Sequence, residues 1–551
     1  MKDFVFLENE DLIPLSDDIS IVQKACEEEV FIGNSKLLNP EVYAPEINFY
    51  LKNSQDNVLK KAKTIESLYK IRSKVYDLGL DLEYTKEVGK NVIIVSNEDQ
   101  NELIESLKKQ EYKVLKLNNE QCLGVLGCVG ELCVIALKDN EQVEIDCDFF
   151  LYDVKKESFD QQSGCYDLTI LSQEELIKLL NSNSPKYKFR NYISYDDSIC
   201  QYHERRSIHC GKCAEICPSV AILKDDEQRK LEFSHVDCLS CGDCVGICPS
   251  GALDYAPMPR NSFYEILKFY EDKIILIIPE KMSIENLNIT LKEDVMPFMI
   301  KGENYLDQTH FLAMLQTSGA SVIFYSDSLS QGALEVIALM NEIFQRKFKQ
   351  NAIFLAKDEK ELLEAINQAH FIENLKFISY NPALLKREDF AIRLRELIKE
   401  ENLGNIPSKE WIRYGKITIN TDTCTLCLSC VGACNVGALV ADAKDNSLKF
   451  NASLCTTCGY CEASCAEKDT LMLQRSGIDL EKEYFSFMVL AQDELFACVE
   501  CGKEFATKKA IEKIASIMKP RFMGDEAKIK TLYCCAECKA KVMIQKSMNV
   551  L

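Results

Sequence analysis

Fifteen of the 27 cysteines in this 551-residue chain stand in four runs with repeating short spacing. They are Cys210, Cys213 and Cys217; Cys238, Cys241, Cys244 and Cys248; Cys424, Cys427, Cys430 and Cys434; and Cys455, Cys458, Cys461 and Cys465. The full run reads C-x2-C-x2-C-x3-C. An iron–sulfur cube needs four thiolates around a compact core. Three cysteines with two residues between neighbours can wrap one face of it, their backbone N–H groups aimed at sulfur. A fourth, after three more residues, starts a short helix aimed elsewhere. The chemistry such a set supports is one-electron transfer.

The runs come in two copies of one unit. Twenty residues separate Cys217 from Cys238, and twenty separate Cys434 from Cys455. Leu231-Glu232-Phe233-Ser234 leads into Cys238 as Leu448-Lys449-Phe450-Asn451 leads into Cys455. Self-similarity of this kind marks a duplication.

Each copy, with Cys217-Pro218-Ser219-Val220-Ala221, Cys248-Pro249-Ser250-Gly251-Ala252 and Cys434-Asn435-Val436-Gly437-Ala438, resembles the bacterial two-[4Fe–4S] ferredoxin domain. Asn435 and Ala466 replace the family's proline. In that family the fourth cysteine of one run ligates the other run's cluster. The resemblance therefore implies three complete sets: Cys238, Cys241, Cys244 with Cys217; Cys424, Cys427, Cys430 with Cys465; and Cys455, Cys458, Cys461 with Cys434. The remaining set has Cys210, Cys213 and Cys248 but Ser207 where a first cysteine belongs. Cys200, returned by a looped insert, is the expected fourth ligand. His203 or His209, or a three-iron cluster with an open corner, are the alternatives.

Near the C-terminus, Cys498, Cys501, Cys535 and Cys538 form two C-x2-C knuckles that suit one structural Zn²⁺. A rubredoxin-like single iron is the alternative, and Cys534 reads as a bystander. Cys26, Cys122, Cys128, Cys133, Cys147 and Cys165 lack tight spacing and read as small buried residues; a further site at Cys122, Cys128 and Cys133 is the less favoured reading.

The elements that must hold these runs fall into five expected domains: 1–190, a small α/β domain; 191–257, the first ferredoxin unit; 258–415, an inserted α/β domain; 416–480, the second unit; and 481–551, a zinc-ribbon-like four-cysteine tail. The fold class is thus α/β plus α+β. Asn91–Ser96 and Tyr112–Leu117 read as strands around a helix from Glu98 to Lys109, with more strands at 143–152 and 167–171. Gly124, Gly127 and Gly130 are spaced G-x2-G-x2-G, not G-x-G-x-x-G, and read as tight turns rather than a nucleotide loop. In the insert, strands are expected at Lys273–Pro279, Ala320–Tyr325, Asn351–Ala356 and Lys376–Tyr380. Helices are expected at Leu306–Thr317, Gln331–Phe348, Lys357–His370 and Lys386–Glu400. Alternation of this kind implies a parallel sheet. The polar end of the strand at Ser326-Asp327 lies where such sheets place ligands, with docking or cofactor binding the less favoured reading and plain packing the favoured one.

A formal charge of −21 disfavours a nucleic-acid partner and suits docking on basic patches of redox proteins. No apolar run reaches the roughly 18 residues of a membrane span, and residues 1–11 carry no apolar signal-peptide core. A cytoplasmic protein is expected. The whole chain is similar to the bacterial polyferredoxins found with formate dehydrogenases. That resemblance implies an electron carrier without its own catalytic site, partnered by redox proteins such as formate dehydrogenase or hydrogenase. The alternatives are the iron–sulfur subunit of a flavin- or NAD(P)-dependent oxidoreductase, and a metalloenzyme assembly factor. Four full cubes and one zinc predict about sixteen iron and one zinc per chain by elemental analysis; persistently fewer iron with a three-iron EPR signal would sink the Cys200 assignment.

Overall fold

The computed structural model describes residues 3–7, 15–16, 19–21, 30–154, 156, 159, 161–207 and 209–548. Cys26 lies outside them. The chain divides into two compact units, one of residues 1–345 and 349–383, the other of residues 346–348 and 384–551. The stretch 384–415 therefore packs with the second ferredoxin copy.

In the first unit, Asn91–Val95 pairs in parallel with Lys113–Leu117 on one side and Phe149–Tyr152 on the other, and Phe149–Tyr152 pairs with Cys165–Asp167. Residues 168–171 are turn, so the strand expected at 167–171 sits two residues earlier. The glycine-rich piece is an antiparallel strand, Cys122–Cys128, paired with Glu131–Lys138. Gly127 and Gly130 have φ of +91° and +81°, and a Cβ on Gly127 would stand 2.2 Å from the Glu131 carbonyl oxygen. These glycines thus serve a hairpin.

The insert is a parallel sheet of β1 (Ile274–Pro279), β2 (Val295–Ile300), β3 (Val322–Tyr325) and β4 (Ile353–Ala356), in spatial order β2-β1-β3-β4. All six residues of β1 are buried, as a strand covered on both faces requires. β2 is a strand beyond those expected; its Pro297, which would argue against a central strand, is tolerated because β2 is at the sheet edge. The expected strand Lys376–Tyr380 is instead irregular. Its register is held by a bond from the Phe377 N–H to the Gln316 carbonyl (3.1 Å). The helices are Gln308–Ser318, Gln331–Phe348, Glu359–Gln368 and, in the second unit, Lys386–Ile398. Asp307 caps the first of them, accepting from the N–H groups of Thr309 (2.8 Å) and His310 (3.0 Å).

The two ferredoxin copies share one plan. Ile193–Tyr195 pairs antiparallel with Leu253–Tyr255, enclosing the hairpin Ile222–Asp225/Lys230–Phe233 and the short helices Lys212–Ile216 and Asp243–Ile247. In the second copy Lys416–Ile419 pairs with Leu471–Gln474 around the hairpin Leu439–Asp442/Ser447–Phe450 and the helices Ser429–Ala433 and Tyr460–Ala463.

The first copy is seated on the carboxyl ends of the insert's strands. Residues 302–305, just after β2, pass directly under the loop and helix at Cys238–Cys248. The Asn304 N–H donates to the Cys241 carbonyl (3.0 Å), and Tyr255 Oη to that of Ser240 (2.9 Å). A Cβ on Gly246 would lie 2.2 Å from the Asn304 carbonyl oxygen. The aligned position in the second copy is Ala463. Gly246→Ala should therefore destabilise the protein by about 1–3 kcal/mol through overpacking, read as a lower Tm. Gly432→Ala, with nothing within 4 Å of the added carbon, should leave Tm unchanged.

Candidate metal centres

The turn that enters each run is set by a small polar side chain four residues ahead of the first cysteine. Asn420 Oδ1 accepts from the Asp422 N–H (3.0 Å) before Cys424, and Asn451 Oδ1 from the Ser453 N–H (3.1 Å) before Cys455. Ser234 Oγ accepts from the Asp237 N–H (3.4 Å) before Cys238. Such side chains mimic a backbone turn and fix the approach of the chain. Asp196 does the same four residues before Cys200, accepting from the Ser198 N–H (3.0 Å).

The resemblance of Cys200 to a first cysteine extends to its sulfur. The Tyr202 N–H donates to Cys200 Sγ at 3.4 Å, and the Thr457 N–H to Cys455 Sγ at 3.4 Å. The N–H groups of Ser240 and Leu426 serve Cys238 and Cys424 in the same i+2 relation. Nine residues separate Cys200 from Cys210 where the other runs have two, so the extra chain loops out between two positions of ordinary geometry. The turn at Asp196 is the signal in the sequence that marks Cys200.

Electrostatics show which thiols face one another. Burial first, then the thiols of Cys248 and Cys200, push Cys210 up to about 11. Burial and the thiols of Cys248, Cys210 and Cys200 hold Cys213 well above the usual range. Cys244 is raised by burial and by Cys241, Cys213, Cys238 and Cys217. In the second copy burial and then Cys424, Cys427 and Cys465 push Cys430 to about 11. Cys461 is raised by burial and by Cys455, Cys458, Cys434 and Cys430. The structure thus brings fourth cysteines to the opposite run in both copies. Across the two groups, Cys213 acts on Cys244 in the first copy and Cys430 on Cys461 in the second. Buried thiols that repel one another's charge resist ionisation, and a bound cationic core supplies the missing compensation. The donor sets therefore fit [4Fe–4S] clusters, which supply one-electron redox chemistry when bound.

His203 stands 3.6 Å from Asp197 and 3.7 Å from Glu204, and His209 Nε2 lies 2.8 Å from Ser207 Oγ. Both imidazoles thus have polar contacts of their own. His310 accepts from the Asp307 N–H (3.3 Å) and completes that helix cap. Ser326 Oγ bonds Glu303 (3.0 Å), and the Ser330 N–H bonds Asn304 Oδ1 (3.1 Å). The polar end of β3 is thereby tied to the segment that supports Cys241.

The tail differs in scale. The sulfurs of Cys498, Cys501, Cys535 and Cys538 all lie within 4.8 Å of one another, the only such group of potential ligands among the described residues. The Cys501–Cys535 separation is 3.8 Å. Zn–S bonds of about 2.3 Å in a tetrahedron give an edge of about 3.8 Å, so the cage has the size of one ion and is too small for a cube. The first knuckle is the tip of the hairpin Leu495–Ala497/Glu504–Thr507, and the second opens the helix Ala536–Met548. Burial opposes ionisation of Cys498, but the N–H groups of Cys535, Glu500 and Cys501 outweigh it and bring the thiol down to about 6. Cys534 Sγ, beside Cys498, donates to the Lys530 carbonyl (3.3 Å). Cys122, Cys128 and Cys133 do not converge; Cys122 is in the core and Cys128 contacts Lys86 Nζ (2.9 Å).

Residues 206–252 match a 4Fe-4S dicluster domain family, and residues 416–466 match a second 4Fe-4S dicluster domain family. No curated protein matches the chain. Both matched segments are thus iron–sulfur domains, and such domains indicate an electron-transfer role. No helix among the described residues is long and apolar enough to cross a membrane.

Cys200→Ser should lower iron per chain or convert one cubane EPR signal to a three-iron signal, whereas Cys165→Ser should leave iron unchanged. Cys498→Ser should remove zinc and leave iron at the wild-type level.

Proposed function

We propose that this protein is a polyferredoxin, an electron carrier relaying single electrons through four [4Fe–4S] clusters. Their ligands are Cys200, Cys210, Cys213 and Cys248; Cys217, Cys238, Cys241 and Cys244; Cys424, Cys427, Cys430 and Cys465; and Cys434, Cys455, Cys458 and Cys461. Zinc at the tail cysteines is structural. The observation that carries this reading is the shared first-cysteine geometry of all four runs, Cys200 included: an i−4 polar turn and an i+2 N–H aimed at sulfur. Those N–H groups stabilise thiolate charge, and burial of the sulfurs limits the solvent rearrangement that accompanies a change of charge. A dehydrogenase such as formate dehydrogenase, or a hydrogenase, is the proposed donor, and the cytoplasm the proposed compartment.

One observation favours a second reading, an oxidoreductase subunit carrying flavin or NAD(P). A cleft of about 730 Å³ opens at the carboxyl ends of β1 and β2, lined among others by Tyr43, Tyr76, Lys281 and Lys301. Cofactor sites of α/β sheets lie at strand ends, and pockets of this size accept such ligands. Against it, several cations there are already paired: Arg72 with Glu46 and Glu280, and Lys301 with Asp81.

Anaerobic purification of the tagged chain from its host, with copurifying proteins identified and flavin assayed, separates the two. Recovery of a formate dehydrogenase or hydrogenase without flavin is expected. A stoichiometric flavin on the isolated chain, with no such partner, would overturn the relay in favour of the second reading.

A further inference from the structure

The duplication allows a residue-by-residue comparison of the charge around two equivalent clusters. Cys238, Cys241 and Cys244 align with Cys455, Cys458 and Cys461. Around the first set stand two buried carboxylates. Asp237, 5% exposed, immediately precedes Cys238. It accepts from the Ser163 N–H (2.8 Å), Ser163 Oγ (2.7 Å) and Ser234 Oγ (2.5 Å). Asp243, 6% exposed, lies beside the Cys241 thiol, where Asn304 Nδ2 donates to its Oδ2 (3.3 Å). In the second copy the same two positions are Leu454 and Tyr460.

The second set has cations instead. Arg387, 4% exposed, sits on the helix Lys386–Ile398, which packs on the turn entering Cys455. Its guanidinium lies 3.8 Å from the centre of the Tyr414 ring, donates to the Arg413 carbonyl (2.6 Å) and acts electrostatically on Cys455. Arg475 donates to the carbonyl of Thr457, inside the Cys455–Cys458 loop (3.1 Å). The acidic residue of that stretch, Glu462, is exposed and turned to the Leu473 N–H (3.3 Å), whereas Arg475, although also exposed, bonds a carbonyl of the cysteine loop itself. One feature works the other way: Ser219 Oγ stands 3.6 Å from Cys217 Sγ, where the second copy has Val436. A single long contact from a neutral hydroxyl is weak beside two buried carboxylates.

An added electron is disfavoured next to negative charge and favoured next to positive charge, most strongly where burial removes screening. We propose that these side chains set the direction of electron flow through the chain. The cluster on Cys217, Cys238, Cys241 and Cys244 has the lower potential of the pair, and the cluster on Cys434, Cys455, Cys458 and Cys461 the higher. Transfer from the first unit to the second is then downhill. The step moves one electron: the reduced site in the first unit loses it and the oxidised site in the second gains it, with no bond made and no proton moved. Asp243 and Arg387 are positioning residues for charge, not ligands. The inference rests on the relay reading.

The test is an EPR-monitored redox titration of the anaerobically reconstituted full-length protein, with iron counted in every sample. Asp243→Asn should raise one midpoint, and Arg387→Met should lower a different one. A tenfold change in a one-electron equilibrium is 59 mV, a shift the titration resolves. Arg387→Lys, which keeps the charge, should restore the wild-type value. Should Arg387→Met lose iron, Arg475→Gln, an exposed substitution, must lower that same midpoint. Unshifted midpoints at wild-type iron content, or shifts of the opposite sign, overturn the inference while leaving the relay standing. A wild-type chain without reducible iron–sulfur signals overturns both.

Discussion

Negative charge confined in a small, poorly solvated space is the constraint on which this molecule is organised. Each ferredoxin copy gathers eight cysteines, all buried or half-buried except the exposed Cys427, and most of the thiols whose ionisation is perturbed there are pushed up by burial and by one another. No arrangement of the protein alone relieves that conflict. The chain supplies partial relief through backbone N–H groups, delivered by turns that leave the i+2 amide facing sulfur, and leaves the rest to a bound cationic core. The tail meets the same constraint on a smaller scale, with a cage of thiols sized for a single ion and three N–H groups converging on Cys498.

The α/β insert takes its place in this scheme as a support. Its strands are driven together by burial of continuous apolar runs such as Ile274–Pro279. The carboxyl ends that sheets of this kind commonly use for ligands are here partly taken up by residues 302–305. Asn304 touches three things at once: the backbone of Cys241, the carboxylate of Asp243 and the start of the helix at Ser330. The absence of a side chain at Gly246 lets that segment come against the cysteine helix. The second copy, with Ala463 at the matching position and a different set of charges around its sulfurs, is held differently, by the helix at Lys386–Ile398. Two copies that began alike have thereby acquired distinct surroundings.

Much of this was legible in the cysteine spacing. Ligand spacing is a local property, because two or three intervening residues have few conformations that place consecutive sulfurs on one cube face. Continuous apolar runs likewise announced β1, β3 and β4 and their helices. The misreadings have physical causes. β2, a strand beyond those expected, is at an edge that can spare the N–H Pro297 lacks. Lys376–Tyr380 has strand-like composition but no neighbouring ladder to join. Cys200, although separated from its run by a loop, is no misreading: it is the expected ligand, and the turn at Asp196 adds a local likeness to those at Ser234, Asn420 and Asn451.

The sequence by itself determined the type of cofactor, the duplication and the grouping of cysteines into runs, since these depend on residue type and short-range reach. Tertiary structure alone decided what surrounds each sulfur. Asn304 lies more than fifty residues from the Asp243 it touches, and Arg387 is nearly seventy from Cys455. Whether a charge is buried beside a sulfur or screened in water depends on packing between distant segments, and no local pattern of residues encodes that distance.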